Sequence, residues 1–268
     1  MKLTVLVDNN TLIDRYYCGE PAVCYFIEED GQRILFDTGF SGLFLGNARK
    51  LGLDLSTVSK VVFSHGHNDH TGGLKHLLKA CRSDSLTVLA HPDTFEEKIE
   101  SGKPIGSPLS AEQIRGECRL QLSARPVKLS ERLTFLGEIP SSNDFERILS
   151  IGKRRCNGRL EDDYVLDDTA LVYQSEKGLC VITGCSHSGI CNIIEYAKSV
   201  CGDDRILSVI GGFHLFDDDF RLAQTVAYFE KNRIAELYPC HCVSLAAKAR
   251  IHQTVPVREV GVGMEIIW

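Results

Sequence analysis

Short apolar runs recur along the chain, and most of them stop at a glycine, an aspartate or a histidine. Lys2–Val7 reads as a strand ended by Asp8-Asn9-Asn10. Residues 23–28 and 33–36 read as a hairpin, because Asp30-Gly31 supplies the positive φ angles of a tight turn. Leu45, Ala48 and Leu51 fall at helical spacing over residues 44–51, and Gly52 stops that helix. A helix is predicted at 74–80 and strands at 86–90, 127–129 and 133–136. From 170 onward the pattern becomes strand and helix in turn. Strands at 170–173, 179–183, 205–210 and 235–238 accompany helices over 191–200, 220–231 and 245–252, and 255–260 and 264–268 close the sheet. Two stretches lose the rhythm. Residues 95–126 carry charges with Gly102, Pro104, Gly106 and Pro108, and 140–163 are polar, with Lys153-Arg154-Arg155 read as part of a solvated loop. Ser110 is placed to cap one short helix. The expectation is one domain, 1–268, with an inserted, partly irregular arm at about 95–165.

Composition narrows the class without naming a chemistry. The 268 residues suffice for a substantial core, and 43% hydrophobic with 25% charged residues is ordinary for a globular protein. A net charge of −6 with no basic tract argues against nucleic acid as the main partner. The apolar start is too short for a signal peptide, and no run approaches a membrane span. Eleven irregularly spaced cysteines read mostly as reduced, buried small residues of a cytoplasmic protein. No pattern speaks to oligomeric state.

Candidate chemistry concentrates in residues 61–73, where three apolar residues lead into Ser64-His65-Gly66-His67-Asn68-Asp69-His70-Thr71-Gly72-Gly73. Three histidines and an aspartate within six positions suit zinc first, with manganese or iron as the other candidates. A helix would turn His67 and Asp69 away from each other, so the reading is strand, ligand loop, then a helix starting near Thr71, with Thr71 as its cap and the glycines allowing close backbone approach. His187, His214 and His241 each end an apolar strand, and strand–helix–strand units return such ends to one sheet edge. His76 is expected on a helix surface, and His91 either faces the cleft or caps its loop. Cys240 and Cys242 flank His241 and read as core or supporting residues. Asp37 ends a strand in Asp37-Thr38-Gly39.

His65-Gly66-His67-Asn68-Asp69-His70 resembles the HxHxDH signature of the metallo-β-lactamase superfamily. That resemblance implies a four-layered αββα sandwich with one or two divalent metal ions at an edge. It implies His65, His67 and His187 around one ion, and Asp69, His70 and His241 around the other. Asp37 would hold a ligand histidine from behind. The chain departs from the family at His214, where a bridging aspartate or sometimes a cysteine is usual. His214 therefore reads as an uncertain ligand, a donor to substrate or a general acid, with Asp69 as the residue that orients a metal-activated water. The activity implied is metal-dependent hydrolysis of an ester, phosphodiester or related bond in a small molecule, anionic ones included. Residues 36–39, 64–73, 184–190, 211–215 and 239–242 together resemble a narrower subfamily that carries the name 7,8-dihydropterin-6-yl-methyl-4-(β-D-ribofuranosyl)aminobenzene 5′-phosphate synthase. A pterin–arylamine joining synthase is thus the alternative, and a non-catalytic metal-binding module a third. A redox di-iron role fits poorly, since His67 stands where such relatives carry a carboxylate and no flavodoxin-like segment follows.

Overall fold

Alternation along the strands decides the layers. In a computed structural model, residues 1–81, 85–146, 149–156 and 158–268 are described. Tyr25 and Ile27 of the strand Cys24–Glu29 point into one core while Cys24 and Phe26 point into another. Likewise Cys180 and Ile182 of Gly178–Thr183 share the first core, and Leu179 and Val181 face away from it. Successive side chains leave opposite faces of a strand, so each sheet is apolar on both sides and must be covered on both.

The first sheet has seven strands, in the order Glu265–Ile267, Lys2–Val7, Cys24–Glu29, Gln32–Phe36, Lys60–Val62, Thr87–Ala90, Arg119–Leu122. The second has six, in the order Glu236–Pro239, Ile206–Gly211, Gly178–Thr183, Ala170–Ser175, Leu133–Phe135, Val127–Lys128. They face each other across a shared core that includes Val5, Tyr25, Phe36, Leu171, Ile182 and Ile210. Helices Leu43–Lys50, Leu74–Ala80 and Ala111–Arg115 cover the outer face of the first sheet through Phe44, Leu77 and Ile114. Helices Ile190–Cys201, Phe220–Lys231 and Leu245–His252 cover the second through Ile194, Phe229 and Ile251. This is the αββα sandwich. Among the described residues no helix is long and apolar enough to cross a membrane.

Within the stretch expected to be an inserted arm, Arg119–Leu122, Val127–Lys128 and Leu133–Phe135 belong to the two main sheets, and only the segments around 97–104 and 153–162 stand apart as an arm, more regular than their sequence suggests. Glu97–Glu100, Lys103–Pro104, Lys153–Cys156 and Arg159–Asp162 form a third sheet, so the basic triplet is a strand and not a solvated loop. Arg159–Asp162 is exposed throughout, which leaves no hydrophobic period to read. Its ion pairs follow the register instead: Lys153 lies opposite Asp162 and Arg154 opposite Glu161, with N–O distances of 2.7 and 2.8 Å. Arg155 pairs with Glu97 at 2.6 Å. Ser110 caps Ala111–Arg115 as expected, in a reciprocal box with Gln113. Residues 255–260 do not form the expected strand. Pro256 has no N–H to offer, and the backbone pairs with Glu236–Pro239 through a bridge at Val257 and the bond from Arg258 N–H to Leu237 O (2.8 Å). Cys24, Cys180, Cys185, Cys191 and Cys240 are buried, but Cys18 is exposed, so burial is less general among the cysteines than expected.

Candidate metal centre

Strand Lys60–Val62 lies inside the first sheet and delivers Phe63 and Ser64 to the sheet edge. The chain does not then run as a loop to a helix beginning at Thr71. A helical turn already spans Asn68–Thr71, with His67 at its start. Thr71 is no N-cap: its hydroxyl donates backward to the His67 carbonyl at 2.9 Å. The glycine pair serves close approach as expected, because a side chain on Gly73 would fall onto the Thr38 carbonyl.

Opposite, strands Gly178–Thr183, Ile206–Gly211 and Glu236–Pro239 run parallel and adjacent, so their ends share an edge. Each leads into a left-handed residue: Ser186 (φ 59°), His214 (φ 49°) and His241 (φ 52°), with Asp37 (φ 59°) across from them on the first sheet. Such backbone costs of order 1–3 kcal/mol per residue and persists where surroundings impose it. Here Ser186 Oγ donates to the Gly212 carbonyl at 2.6 Å, and the His241 N–H donates to Asp8 Oδ1 at 3.1 Å.

The turns bring six of the expected residues together with a seventh. Asp69 Oδ2 lies 3.4 Å from His70 Nε2 and 3.3 Å from His241 Nε2. His65 Nε2 lies 3.0 Å from His67 Nδ1, and the His187 ring sits 4.8 Å from that of His65 and 5.0 Å from that of His67. The addition is Cys185, whose sulfur is 3.2 Å from His70 Nε2. Asp69, His70, Cys185 and His241 form one group able to hold a metal ion, and His65, Cys185 and His187 another. The signal for Cys185 was a Cys-x-His spacing in Cys185-Ser186-His187, legible only once Ser186 is known to be left-handed. His67 and His214 belong to neither group; His67 reaches the second through its contact with His65, and the His214 ring packs 4.6 Å from that of His187 and 4.9 Å from Phe216. His76 is half-buried against Gly42. His91 caps its own loop, accepting from the Asp93 N–H at 3.2 Å.

The hydrogen bonds orient the rings. Asp37 is fully buried, and a carboxylate only accepts. It takes the Ser64 N–H (2.8 Å), the Ser64 hydroxyl (2.7 Å) and His70 Nδ1–H (2.7 Å). With its proton spent on Asp37, Ser64 Oγ accepts from His65 Nδ1 at 3.0 Å. His241 Nδ1 donates to Asn9 Oδ1 at 3.1 Å, an orientation fixed by the Asn9 amide on the His241 carbonyl. The network thereby turns Nε2 of His70 and of His241 toward the Asp69 carboxylate, an arrangement that a proton or a metal ion between them makes favourable, while His65 Nε2 is left to accept from His67 Nδ1–H. His67 Nε2 and His187 Nε2 are buried without any hydrogen-bond partner. The donor set fits a divalent ion on both counts.

Charge follows position. Burial, then the neighbouring histidines, holds His65 and His187 well below the usual imidazole range, and burial takes His67 to about 4. Neutral imidazole is the form that binds metal. His70 goes the other way: burial opposes its charge, but Asp69 and Asp37 on either side outweigh it and push the group well above 6.5. Asp69 is held ionised, its burial outweighed by His70 and His241.

Comparison with known proteins agrees with this geometry. The sequence pattern of the metallo-beta-lactamase superfamily matches residues 19–111. A protein of Methanocaldococcus jannaschii named 7,8-dihydropterin-6-methyl-4-(beta-D-ribofuranosyl)-aminobenzene-5′-phosphate synthase is 31% identical over 83% of this chain and 80% of its own length. The chain belongs to the metallo-β-lactamase superfamily. An uncharacterized protein of the same organism is also 31% identical, over 94% of both chains. A solved structure described as a metal-dependent hydrolase of the β-lactamase superfamily superposes with a TM-score of 0.85 at 26% identity, covering 100% of this chain and 99% of the other.

In this superfamily member the two groups open on a cleft of about 550 Å³. One wall is the arm: Glu100, Ile105 and Ile151 line it, facing His214 and Phe216. Asn68 N–H donates to the Ile105 carbonyl at 2.8 Å, tying the arm to the motif. The deeper tie escaped the sequence. Lys98 is fully buried and bonds Asp163 at 2.8 Å and Asp167 at 2.9 Å, while Asp167 also takes the Gly66 N–H at 2.7 Å. In sequence Lys98 was one more charge in a charged segment.

Proposed function

We propose that this protein is a metal-dependent hydrolase of small molecules, acting on an ester, phosphodiester or related bond. The observation that carries this reading is the set of imidazole lone pairs converging, with unpartnered His67 and His187 nitrogens, at the wall of an open cleft. His65, His67 and His187 would hold one ion, and Asp69, His70 and His241 a second, zinc being the first candidate. When bound, such ions supply a water that is nucleophilic near neutral pH and an acceptor for developing negative charge. Asp69 remains ionised, so it can orient a water and take its proton. Burial, then Arg221, lowers His214 to about 4. At neutral pH His214 therefore offers substrate an N–H hydrogen bond and no spare proton, which makes it a positioning donor and a poor general acid. Among the described residues lining the cleft there is no Lys or Arg, so an anionic substrate would find its counter-charge in the ions. The cysteines suit a reducing compartment such as the cytoplasm.

The test is turnover of aryl esters and of bis(4-nitrophenyl) phosphate by protein loaded in turn with zinc, manganese, cobalt and ferrous iron. Activity that vanishes on chelation and returns with metal supports the proposal, and silence on every substrate with every metal counts against it. The likeness to the M. jannaschii synthase favours one second reading, condensation of a pterin methanol or its pyrophosphate with an arylamine. Product formation from that pair, with no ester hydrolysis, would select it.

Two further results are expected. Asp37→Asn replaces an acceptor of three hydrogen bonds with a group that must turn an N–H toward one donor. Metal affinity, measured against a chromophoric chelator, falls about 10- to 100-fold. Second, metal uptake at the Asp69–His70–His241 group releases a proton. His70 is raised in the metal-free protein and so carries that proton at neutral pH, and the ion replaces it. Affinity there rises about tenfold per pH unit until pH passes the raised His70 value, then levels. Calorimetry in buffers of different ionisation enthalpy reads the proton directly, and a buffer-independent heat would contradict the assignment.

A further inference from the structure

We infer that Cys185 is a metal ligand whose sulfur is shared between the two groups, an inference that rests on the metal-dependent reading above. Four observations carry it. The sulfur lies within 4.8 Å of the ligand atoms of His65 and His187 and equally of those of Asp69, His70 and His241, and no other side chain stands in both groups. It is 3.2 Å from His70 Nε2, the ring nitrogen turned away from Asp37 and toward the site. His187 Nε2, in the group with His65 and Cys185, is buried without a partner, and so is Nε2 of His67, a side chain more than nine-tenths buried beside His65. And the strand-end histidine that occupies the remaining place, His214, lies outside both groups beside His187.

The backbone fixes the sulfur there. Gly184 admits no side chain, since a carbon added to it would strike the Ser64 hydroxyl, and Gly212 packs against Cys185 and Cys242. Left-handed Ser186 is held between Thr183 Oγ1 (3.0 Å) and the Gly212 carbonyl. Cys185 is 4% exposed.

A thiolate sulfur has several lone pairs and can bind two ions at once, whereas a neutral imidazole nitrogen has one and cannot. On metal binding the thiol proton leaves to solvent and the sulfur–metal bond forms in its place. Sulfur also biases the choice of ion: thiolate with imidazole favours zinc, cobalt and cadmium over manganese. Cys242 lies on the cleft wall outside both groups, with its sulfur 3.5 Å from the Cys185 carbonyl and its side chain hydrogen-bonded to that of Cys185, and serves as the neighbouring-thiol control.

The experiment is cobalt titration of the metal-free full-length chain, followed by absorption. Wild type is expected to show visible ligand-field bands from tetrahedral or five-coordinate cobalt together with a near-ultraviolet thiolate-to-cobalt charge-transfer band. Cys185→Ser keeps the visible bands, loses the charge-transfer band and binds cobalt and cadmium at least about tenfold more weakly, with manganese little changed. Cys242→Ser keeps both features. Visible bands without a charge-transfer band in wild type overturn the assignment while leaving the metal reading intact. So does a charge-transfer band that survives Cys185→Ser or disappears in Cys242→Ser. Absence of visible bands at any cobalt level overturns the metal reading and this assignment with it. The wild-type spectrum decides even if Cys185→Ser fails to fold, and Cys185→Ala with circular dichroism separates lost fold from lost ligand.

Discussion

His67→Ala is expected to lose one bound ion and to lower hydrolysis by about a thousandfold or more. His67 faces His65 across 3.0 Å, and its second ring nitrogen is buried without a partner. Burial takes its pKa to about 4, so it enters the site neutral and exacts no deprotonation when metal binds. His67 stands beside the group of His65, Cys185 and His187 and is the third imidazole that the proposed ion would draw in. A bound ion stabilises transition-state charge by several kcal/mol, and each 1.4 kcal/mol is about tenfold in rate. Metal content and turnover should therefore fall together, with the Asp69–His70–His241 group still loaded. A variant that kept full metal and lost only rate would make His67 a catalytic group and not a ligand. One that kept both would remove it from the site.

Lys98→Ala is expected to cost about 3–5 kcal/mol of stability and to loosen the motif loop. The ammonium is fully buried between Asp163 and Asp167, and deleting it strands two carboxylates in the interior. The wild-type pKa values carry the sign of the pH dependence. Burial alone would raise Asp167, but Lys98 outweighs it and holds the acid below 3.8. A carboxyl lowered in the folded state contributes stability above its unfolded pKa and loses it as pH falls through the folded value. In Lys98→Ala that contribution is gone, so the deficit is largest near neutral pH and shrinks in acid, where the carboxyls take up protons. Urea melts of the metal-free proteins at pH 7.5 and 4 measure this. A loss below about 1 kcal/mol at neutral pH would mean that water replaces the ammonium. Because Asp167 also holds the Gly66 N–H, metal affinity should weaken in the same variant.

What the sequence shows and hides here has a physical division. The motif is legible because its ligand types crowd into one loop, and the strand-end histidines because apolar runs stop abruptly beside them. Phe220–Lys231 and Leu245–His252 are predicted at their observed bounds, the first presenting Leu222, Val226 and Phe229 to the core and the second burying Ala247 and Ile251 one turn apart. Lys153–Cys156 and Arg159–Asp162 are invisible for the opposite reason: cross-strand charges hold them in register and burial contributes little. The Asn68–Thr71 turn is set by backbone contacts to the arm and to Thr38, which no local pattern announces. Cys185 depends on one left-handed residue and Lys98 on carboxylates more than sixty positions away.

The cluster takes Asp37 and the motif from the first sheet, and Cys185, His187 and His241 from the second. Neither sheet alone assembles it, and Asp69 and His241 are separated by most of the chain. On the ribosome, the motif loop emerges long before its distant partners, as an open chelate with none of the geometry that discriminates between ions. Selectivity then belongs to the docking of the two sheets. Without that docking the motif loop lacks Cys185, His187 and His241, so a chain that ends before the second sheet keeps the motif and not the cluster.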